Sequence, residues 1–279
     1  MNETETDISL RDGTRIRVRH FDGGDGSADA PALDLLLLHG WPNSGRVWKP
    51  LAAELLLANP GLRLHAPDLR GFGDSDKPAG GYHCRTFAED VLEIAAALML
   101  DDYVLVGHSM SGKIAQIAAA EEPPGLAALV LVTPGLLAAS PPVDISGRKA
   151  IFGVESRVRD MVTSWAAHPL GEEFDALLTE DALRTSRDAW NGWLSPMRDE
   201  DFSPVAPQIH VKTLVVGGGR DPQRTDEELR RGVLQKISGA EYVRLPSSGH
   251  LPHLEEPDAL ALLIVNFLDG APVGEPAAA

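Results

Sequence analysis

Between Tyr103 and Ala120 the chain reads YVLVGHSMSGKIAQIAAA. Tyr103 to Val106 is an uninterrupted β-rich apolar run, which suits a strand covered on both sides better than one face of a helix. A helix has to begin almost at once. Ala115, Ala118, Ala119 and Ala120, with Ile114 and Ile117 among them, give high helix propensity and an apolar face slim enough to pack on a sheet. Gly107-His108-Ser109-Met110-Ser111 is all that remains for the turn. Ser109 is therefore squeezed into strained backbone with its hydroxyl projecting outward. A serine in a strand-to-helix turn also reads as a plain helix N-cap, and these five residues do not separate the two roles.

Strand and helix signals alternate on both sides of this stretch. Leu10-Arg11-Asp12-Gly13-Thr14 reads as a turn before Arg15 to Phe21, where Ile16 and Val18 alternate with arginines, as in an antiparallel hairpin at a sheet edge. Asp22 to Ala30 is rich in Gly, Asp and Ser and reads as a loop. Leu35 to Leu38 is a buried strand ending at His39-Gly40-Trp41-Pro42, Trp48 to Ala58 a helix, and Arg63 to Ala66 a further strand. Thr86, with Glu89 three residues on, predicts a capped helix running to Met99. Leu126 to Val132 is the next strand. Such alternation implies a parallel sheet with right-handed crossovers.

From Leu136 to about Ala206 the strand signal stops, and the segment reads as inserted helices rich in tryptophan, phenylalanine and methionine. Alternation resumes with strands over Thr213 to Val216 and Tyr242 to Leu245 and helices over Glu227 to Lys236 and Asp258 to Phe267. The expected organisation is a core over 1–135 and 207–270, a helical cap over 136–206, and a flexible tail over 271–279.

A serine hydroxyl is a weak nucleophile, so it needs a histidine base, and the base needs a carboxylate to hold its tautomer. Asp221 follows the strand at Thr213, and His250 follows the strand at Tyr242, both at the edge where open α/β sheets gather their sites. Asp221 before Pro222 also fits a turn-former, and His253 is a rival base three residues from His250. Gly249 beside His250 favours the latter, and His253 fits a position packed under the loop. The order Ser109, Asp221, His250 is the one a nucleophile elbow requires, and the three together favour a catalytic triad. Negative charge on a reacting carbonyl oxygen needs donors. The backbone N–H groups of Met110 and Trp41 are the candidates, whereas His39 and His108 read as structural.

His39-Gly40-Trp41-Pro42, Asp68-Leu69-Arg70-Gly71-Phe72-Gly73-Asp74-Ser75, Gly107-His108-Ser109-Met110-Ser111-Gly112, Asp221 and Gly249-His250 together resemble the α/β-hydrolase superfamily across nearly the whole chain. The one departure is Ser111, where the family pattern has glycine. The resemblance implies a mostly parallel eight-stranded sheet flanked by helices, with a helical cap inserted after the sixth strand, and it implies that Asp68 and Arg70 brace loops. Within the superfamily the chain is similar to bacterial esterases and to cofactor-free haloperoxidases or perhydrolases. Epoxide hydrolases and haloalkane dehalogenases share the Asp68 to Ser75 motif but use an aspartate nucleophile, so Ser109 argues against both.

The expected function is hydrolysis of a small to medium, partly hydrophobic carboxylic ester through an acyl-enzyme. Perhydrolysis, lactone opening and carbon–carbon bond hydrolysis are alternatives on the same triad, and a ligand receptor with a retained triad is an alternative of another class. Trp41, Trp165, Trp190, Trp193 and Met161 are candidate substrate contacts, read equally well as the core of the cap. Arg148, Lys149, Arg157 and Arg159 read more simply as a solvated helix face than as contacts to an anion. No metal or cofactor is expected, since no ligand cluster and no phosphate-binding loop is recognisable. The formal charge of −16 disfavours nucleic acid and anionic membranes as partners, leaving a small-molecule substrate and a possible homo-oligomer. The single Cys84 excludes an intramolecular disulfide, and with no leader-like or membrane-spanning run the expected location is the cytoplasm.

Overall fold

The computed structural model describes residues 1–24, 33–141 and 144–271. Most of the loop expected over Asp22 to Ala30, and the tail from 272, lie outside the described residues. Eight strands form one sheet: β1 (Asn2–Ser9), β2 (Arg15–Asp22), β3 (Asp34–Leu38), β4 (Arg63–Pro67), β5 (Tyr103–His108), β6 (Leu126–Val132), β7 (Lys212–Gly218) and β8 (Glu241–Leu245). Their spatial order is β1-β2-β4-β3-β5-β6-β7-β8. β2 pairs antiparallel with β1 and β4, and every other pairing is parallel.

The two kinds of strand follow from their side chains. In β2 the alternation puts Ile16 and Val18 inward, while Arg17 on the other face meets Glu5 and Asp7 of β1. β3 and β5 are buried at every residue, as continuous apolar runs under two layers of helices must be. The helices are α1 (Lys49–Ala58), α2 (Cys84–Ala97), α3 (Met110–Ala119), α4 (Ser146–Ala150), α5 (Glu155–Thr163), α6 (Glu172–Arg184), α7 (Arg187–Gly192), α8 (Asp226–Leu229), α9 (Pro252–Glu255) and α10 (Pro257–Leu268). α1 packs with α10, and α2 with α3. α4 to α7 form the insertion between the sixth and seventh strands. Among the described residues no helix is long and apolar enough to cross a membrane.

Two helix ends differ from the sequence reading. α2 starts at Cys84, before Thr86, and no side chain of its own caps it. Glu200, from beyond the inserted helices, does so instead: it accepts the Cys84 N–H at 2.8 Å and holds His83 Nδ1 at 2.7 Å. A partner 116 residues away satisfies the free amide, so the local Thr86–Glu89 pattern does not decide the start. The helix also stops at Ala97, and Met99 turns at φ 54°. The helix expected over Glu227 to Lys236 is α8, opened by a capping box of Thr225 and Glu228 and continued by a wider π turn over Arg230–Leu234.

Asp68 and Arg70 brace the loops at the carboxyl ends of β3 and β4. Fully buried Asp68 accepts from Arg19 Nη1 at 2.6 Å, the Gly45 N–H at 2.7 Å and the Asp74 N–H at 2.7 Å. Arg70 holds Asp90 at 2.5 Å and Asp12 at 3.0 Å. Removing one partner of such a network strands the other charge in the interior. Asp68→Ala is expected to cost about 3–5 kcal/mol of stability by leaving Arg19 without its buried partner. Urea unfolding checks this, and a midpoint equal to that of the wild type would show the network to be dispensable.

Candidate active site

Ser109 sits between β5 and α3 at φ 50° and ψ −116°. It occupies the N-cap position of α3, yet its side chain makes no capping bond. The hydroxyl instead faces His250, with Oγ 2.8 Å from Nε2. Left-handed backbone in a residue with a Cβ costs on the order of 1–3 kcal/mol and must be imposed by its surroundings. Here the Ser109 N–H donates to Val132 O at 3.1 Å, and its carbonyl accepts from Gly112 and Gly135 N–H at 2.9 and 2.7 Å. Gly107 lies so close to α3 that a Cβ there would come within 2.5 Å of Ser111 O. A Cβ on Gly112 would meet Pro134 Cβ at 2.4 Å.

Ser111, the departure from the family pattern, has a bond of its own. Its buried hydroxyl donates to the His39 carbonyl at 2.5 Å, tying the elbow to the loop that carries Gly40 and Trp41. Gly40 lies directly against the elbow, since a Cβ on it would be 3.0 Å from Ser109 Cβ. The Met110 N–H stands at the first position of α3, where helix geometry leaves amides without an internal acceptor. Among the described loop and turn bonds, the Trp41 N–H has no acceptor either. Both amides therefore belong to the two segments that border the Ser109 hydroxyl.

Asp221 and His250 come off the ends of β7 and β8, as their sequence positions predict. Asp221 Oδ2 is 2.8 Å from His250 Nδ1, and both side chains are buried, at 1% and 4% exposure. The other Asp221 oxygen accepts the Gln223 N–H at 2.7 Å. With Nδ1–H donated to the carboxylate, Nε2 is left as an acceptor toward the serine proton.

Three residues hold the histidine loop, two of them, Glu255 and Thr133, given no role by the sequence reading. Glu255 accepts from the Gly249 and Leu251 N–H groups at 2.9 Å and also from Ala167 N–H at 2.7 Å. Thr133 Oγ1 donates to the His250 carbonyl at 3.1 Å. The Trp165 carbonyl accepts the His250 N–H at 2.8 Å. Ala167 and Trp165 lie in the insertion, so the loop is fastened to core and insertion alike. Thr133 acts on a backbone 117 residues away and Glu255 joins its own loop to Ala167, 88 residues away, so neither role shows in a local pattern.

The remaining histidines are structural in placement. His39 donates through Nδ1 to Gly40 O at 2.9 Å and accepts the Leu69 N–H at 3.0 Å. His108 Nε2 donates to His250 O at 2.8 Å. His253 packs between Trp48 and His108, with ring centroids 4.8 and 4.5 Å away, and neither ring nitrogen has a partner among the described residues. Burial holds His39 at about 4 and His253 at about 3, and burial with the neighbouring His253 and His250 puts His108 well below 6.5.

A cavity of about 200 Å³ opens beside Ser109 and His250. Of the candidate substrate contacts, Trp193 lines it. Trp41, Trp165 and Trp190 are packed together instead, with Trp41 4.6 Å from Trp190 and 6.0 Å from Trp165 between ring centroids. Trp190 is wholly buried, and its indole N–H donates to Arg148 O at 3.1 Å. Met161 packs against the core and does not line the cavity. Arg148, exposed as the solvated-face reading expects, also lines it, whereas Arg159 pairs with Glu172 on the surface at 2.7 Å.

The family model described as "Alpha/beta hydrolase family" matches residues 35–261, which include all of these groups. The chain belongs to the alpha/beta hydrolase family. This hydrolase is 30% identical over 254 residues to the AB hydrolase superfamily protein YisY of Bacillus subtilis, covering 84% of this chain and 90% of that one. It is 28% identical over 261 residues to a putative non-heme chloroperoxidase of Synechocystis, with the same two coverages. An esterase of Exiguobacterium antarcticum superposes with a TM-score of 0.81 at 24% identity, over 95% of this chain and 100% of the other, a likeness of fold.

The buried histidines make the stability of this hydrolase depend on pH. An unfolded chain takes up a proton on each near pH 6.5, and the folded state refuses it until far lower. Stability therefore falls as pH drops from 6.5 toward the folded values, by about 1.4 kcal/mol per pH unit for each histidine. His253→Leu removes one such proton uptake, so its urea-derived stability is expected to fall less steeply than that of the wild type between pH 6 and 4. A slope unchanged from the wild type would show that His253 is not held neutral.

Proposed function

We propose that this hydrolase cleaves carboxylic esters through an acyl-enzyme on Ser109. The observation that carries the reading is the unbroken chain from Asp221 Oδ2 to His250 Nδ1 and from His250 Nε2 to Ser109 Oγ, each link 2.8 Å. Ser109 Oγ attacks the acyl carbon as His250 takes its proton, and Asp221 stabilises the imidazolium that forms. The N–H groups of Met110 and Trp41 receive the developing oxyanion. His250 then protonates the departing alcohol, and the same histidine activates the water that releases the acid. A hydroxyl nucleophile suits an acyl centre, since attack on an alkyl carbon would leave an ether with no easy exit.

Perhydrolysis is the second reading, favoured by similarity to the putative chloroperoxidase over 84% of this chain. It keeps the acyl-enzyme and replaces water with hydrogen peroxide as the acceptor. The two readings share Ser109 and differ only in the second half-reaction.

The wild type is expected to hydrolyse 4-nitrophenyl butyrate, with kcat/KM lowered at least ~10⁴-fold in Ser109→Ala and in His250→Ala. Turnover that survives Ser109→Ala would sink both readings. Acetate with peroxide, assayed on the same preparation, separates them by whether peracid forms faster than ester is hydrolysed.

A further inference from the structure

The cavity beside Ser109 and His250 has a charge opposite to that of the chain. Asp and Glu outnumber Lys and Arg by 41 to 25 in the full sequence. Yet Arg148, Arg198 and Arg224 all line the cavity, and none of its lining residues is Asp or Glu. The three arrive separately: Arg148 on α4, Arg198 just after the turn Trp193–Met197, and Arg224 a few residues beyond Asp221. A local excess of basic residues in one segment therefore does not account for them.

Many arginines elsewhere find carboxylates, as Arg63 finds Asp34 at 2.6 Å and Arg46 finds Glu180 at 3.0 Å, while Arg187 and Arg230 lie over the Phe152 and Tyr242 rings instead. Among the described residues Arg148 and Arg198 have no carboxylate within ion-pair distance. Arg224 reaches Glu228 only at 3.6 Å and otherwise donates to the Pro134 carbonyl at 3.3 Å. Arg198 is half-buried, and burial followed by Arg148 and Arg224 holds its guanidinium below the ordinary range. Three like charges converging on one cleft repel one another, half-buried Arg198 also loses hydration while Arg148 stays exposed, and an entering anion relieves the repulsion. The guanidinium fork matches a carboxylate bidentately.

On the ester-hydrolase reading above, we infer that the substrate is a short ester bearing a second, free carboxylate, held by Arg198, Arg148 and Arg224 while Ser109 faces the ester carbonyl. A cleft of about 200 Å³, with Trp193 on one wall, has room for a short ester. The bond broken is the acyl C–O bond. Ser109 Oγ bonds to the acyl carbon as its proton passes to His250, and the alcohol leaves with that proton. Water then adds hydroxide to the acyl carbon and gives its other proton to His250, which returns it to Ser109 Oγ as the acyl–Oγ bond breaks. The free carboxylate takes no part in the exchange and serves recognition alone.

Two anionic esters place the carboxylate on opposite sides of the reacting bond. Monomethyl glutarate carries it on the acyl side and 4-acetoxybutyrate on the alcohol side, with methyl pentanoate and butyl acetate as neutral counterparts. Acid release in a pH-stat gives kcat/KM for each. At least one anionic ester is expected to exceed its counterpart tenfold or more, and that preference is expected to fall at least tenfold in Arg198→Met. It returns in part in Arg198→Lys and is unchanged in Arg159→Met, whose side chain lies away from the cavity. Preferences near one in the wild type, or a preference indifferent to both Arg198→Met and Arg148→Met, overturn the inference and leave the ester reading standing. Should no ester be turned over, the ester reading fails, and calorimetric titration with glutarate decides the anion site. Binding weakened at least tenfold in Arg198→Met upholds the site, and equal or absent binding in the wild type overturns it.

Discussion

The backbone of Ser109 is the constraint on which the rest of this site depends. A serine at φ 50° is held against its own preference. The restraint comes from every side: Val132 O and Gly135 N–H across the sheet edge, Gly112 within the helix turn, and Ser111 to His39 toward the neighbouring loop. Gly107 and Gly112 are needed because β5 and α3, and then α3 and Pro134, approach closer than a Cβ allows. The strain places Oγ at the carboxyl edge of a parallel sheet, clear of the helix it would otherwise cap. A local rule is broken at the one residue proposed to react, as functional sites commonly require.

The histidine loop is positioned by a different device. His250 has its N–H taken by Trp165 and its carbonyl by Thr133 and His108, so its backbone is fixed from the insertion and from two central strands. Glu255 adds a carboxylate that gathers amides on both sides of His250 together with Ala167. Displacing the segment around Trp165 and Ala167 would therefore disturb the proposed base directly. Insertion and core share hydrogen bonds at the point where the proton is proposed to move.

Charge divides the molecule into zones with different work. In the loop braces arginines are matched to carboxylates, as Arg19 and Arg70 are to Asp68 and Asp90. In the cavity the matching lapses. An acidic protein that keeps three arginines there retains attraction for an anion where the reaction is proposed to occur, while its overall negative field repels anions elsewhere.

Much of this was legible in the linear chain. The continuous apolar runs at Leu35 and Tyr103 announced buried parallel strands, and Ser109, Asp221 and His250 each followed a strand, because a parallel sheet sends every strand's carboxyl end to one edge. The family match follows the same residues. The start of α2, set by Glu200, was not legible, and neither was the purpose of Ser111 or Thr133, since each acts on a backbone distant in sequence, nor that of Glu255, which ties the histidine loop to distant Ala167. The aromatic residues of the insertion stayed open between substrate contact and core for a related reason. Composition counts tryptophans but does not say that Trp190 and Trp165 pack at a tilt against Trp41 while Trp193 lines the cavity. Sequence by itself determined the strands, the turns and the order of the reacting groups, which depend on local periodicity and spacing. Only the tertiary structure decided which charges and rings meet at Ser109, because Arg148, Arg198 and Arg224 become neighbours through packing alone.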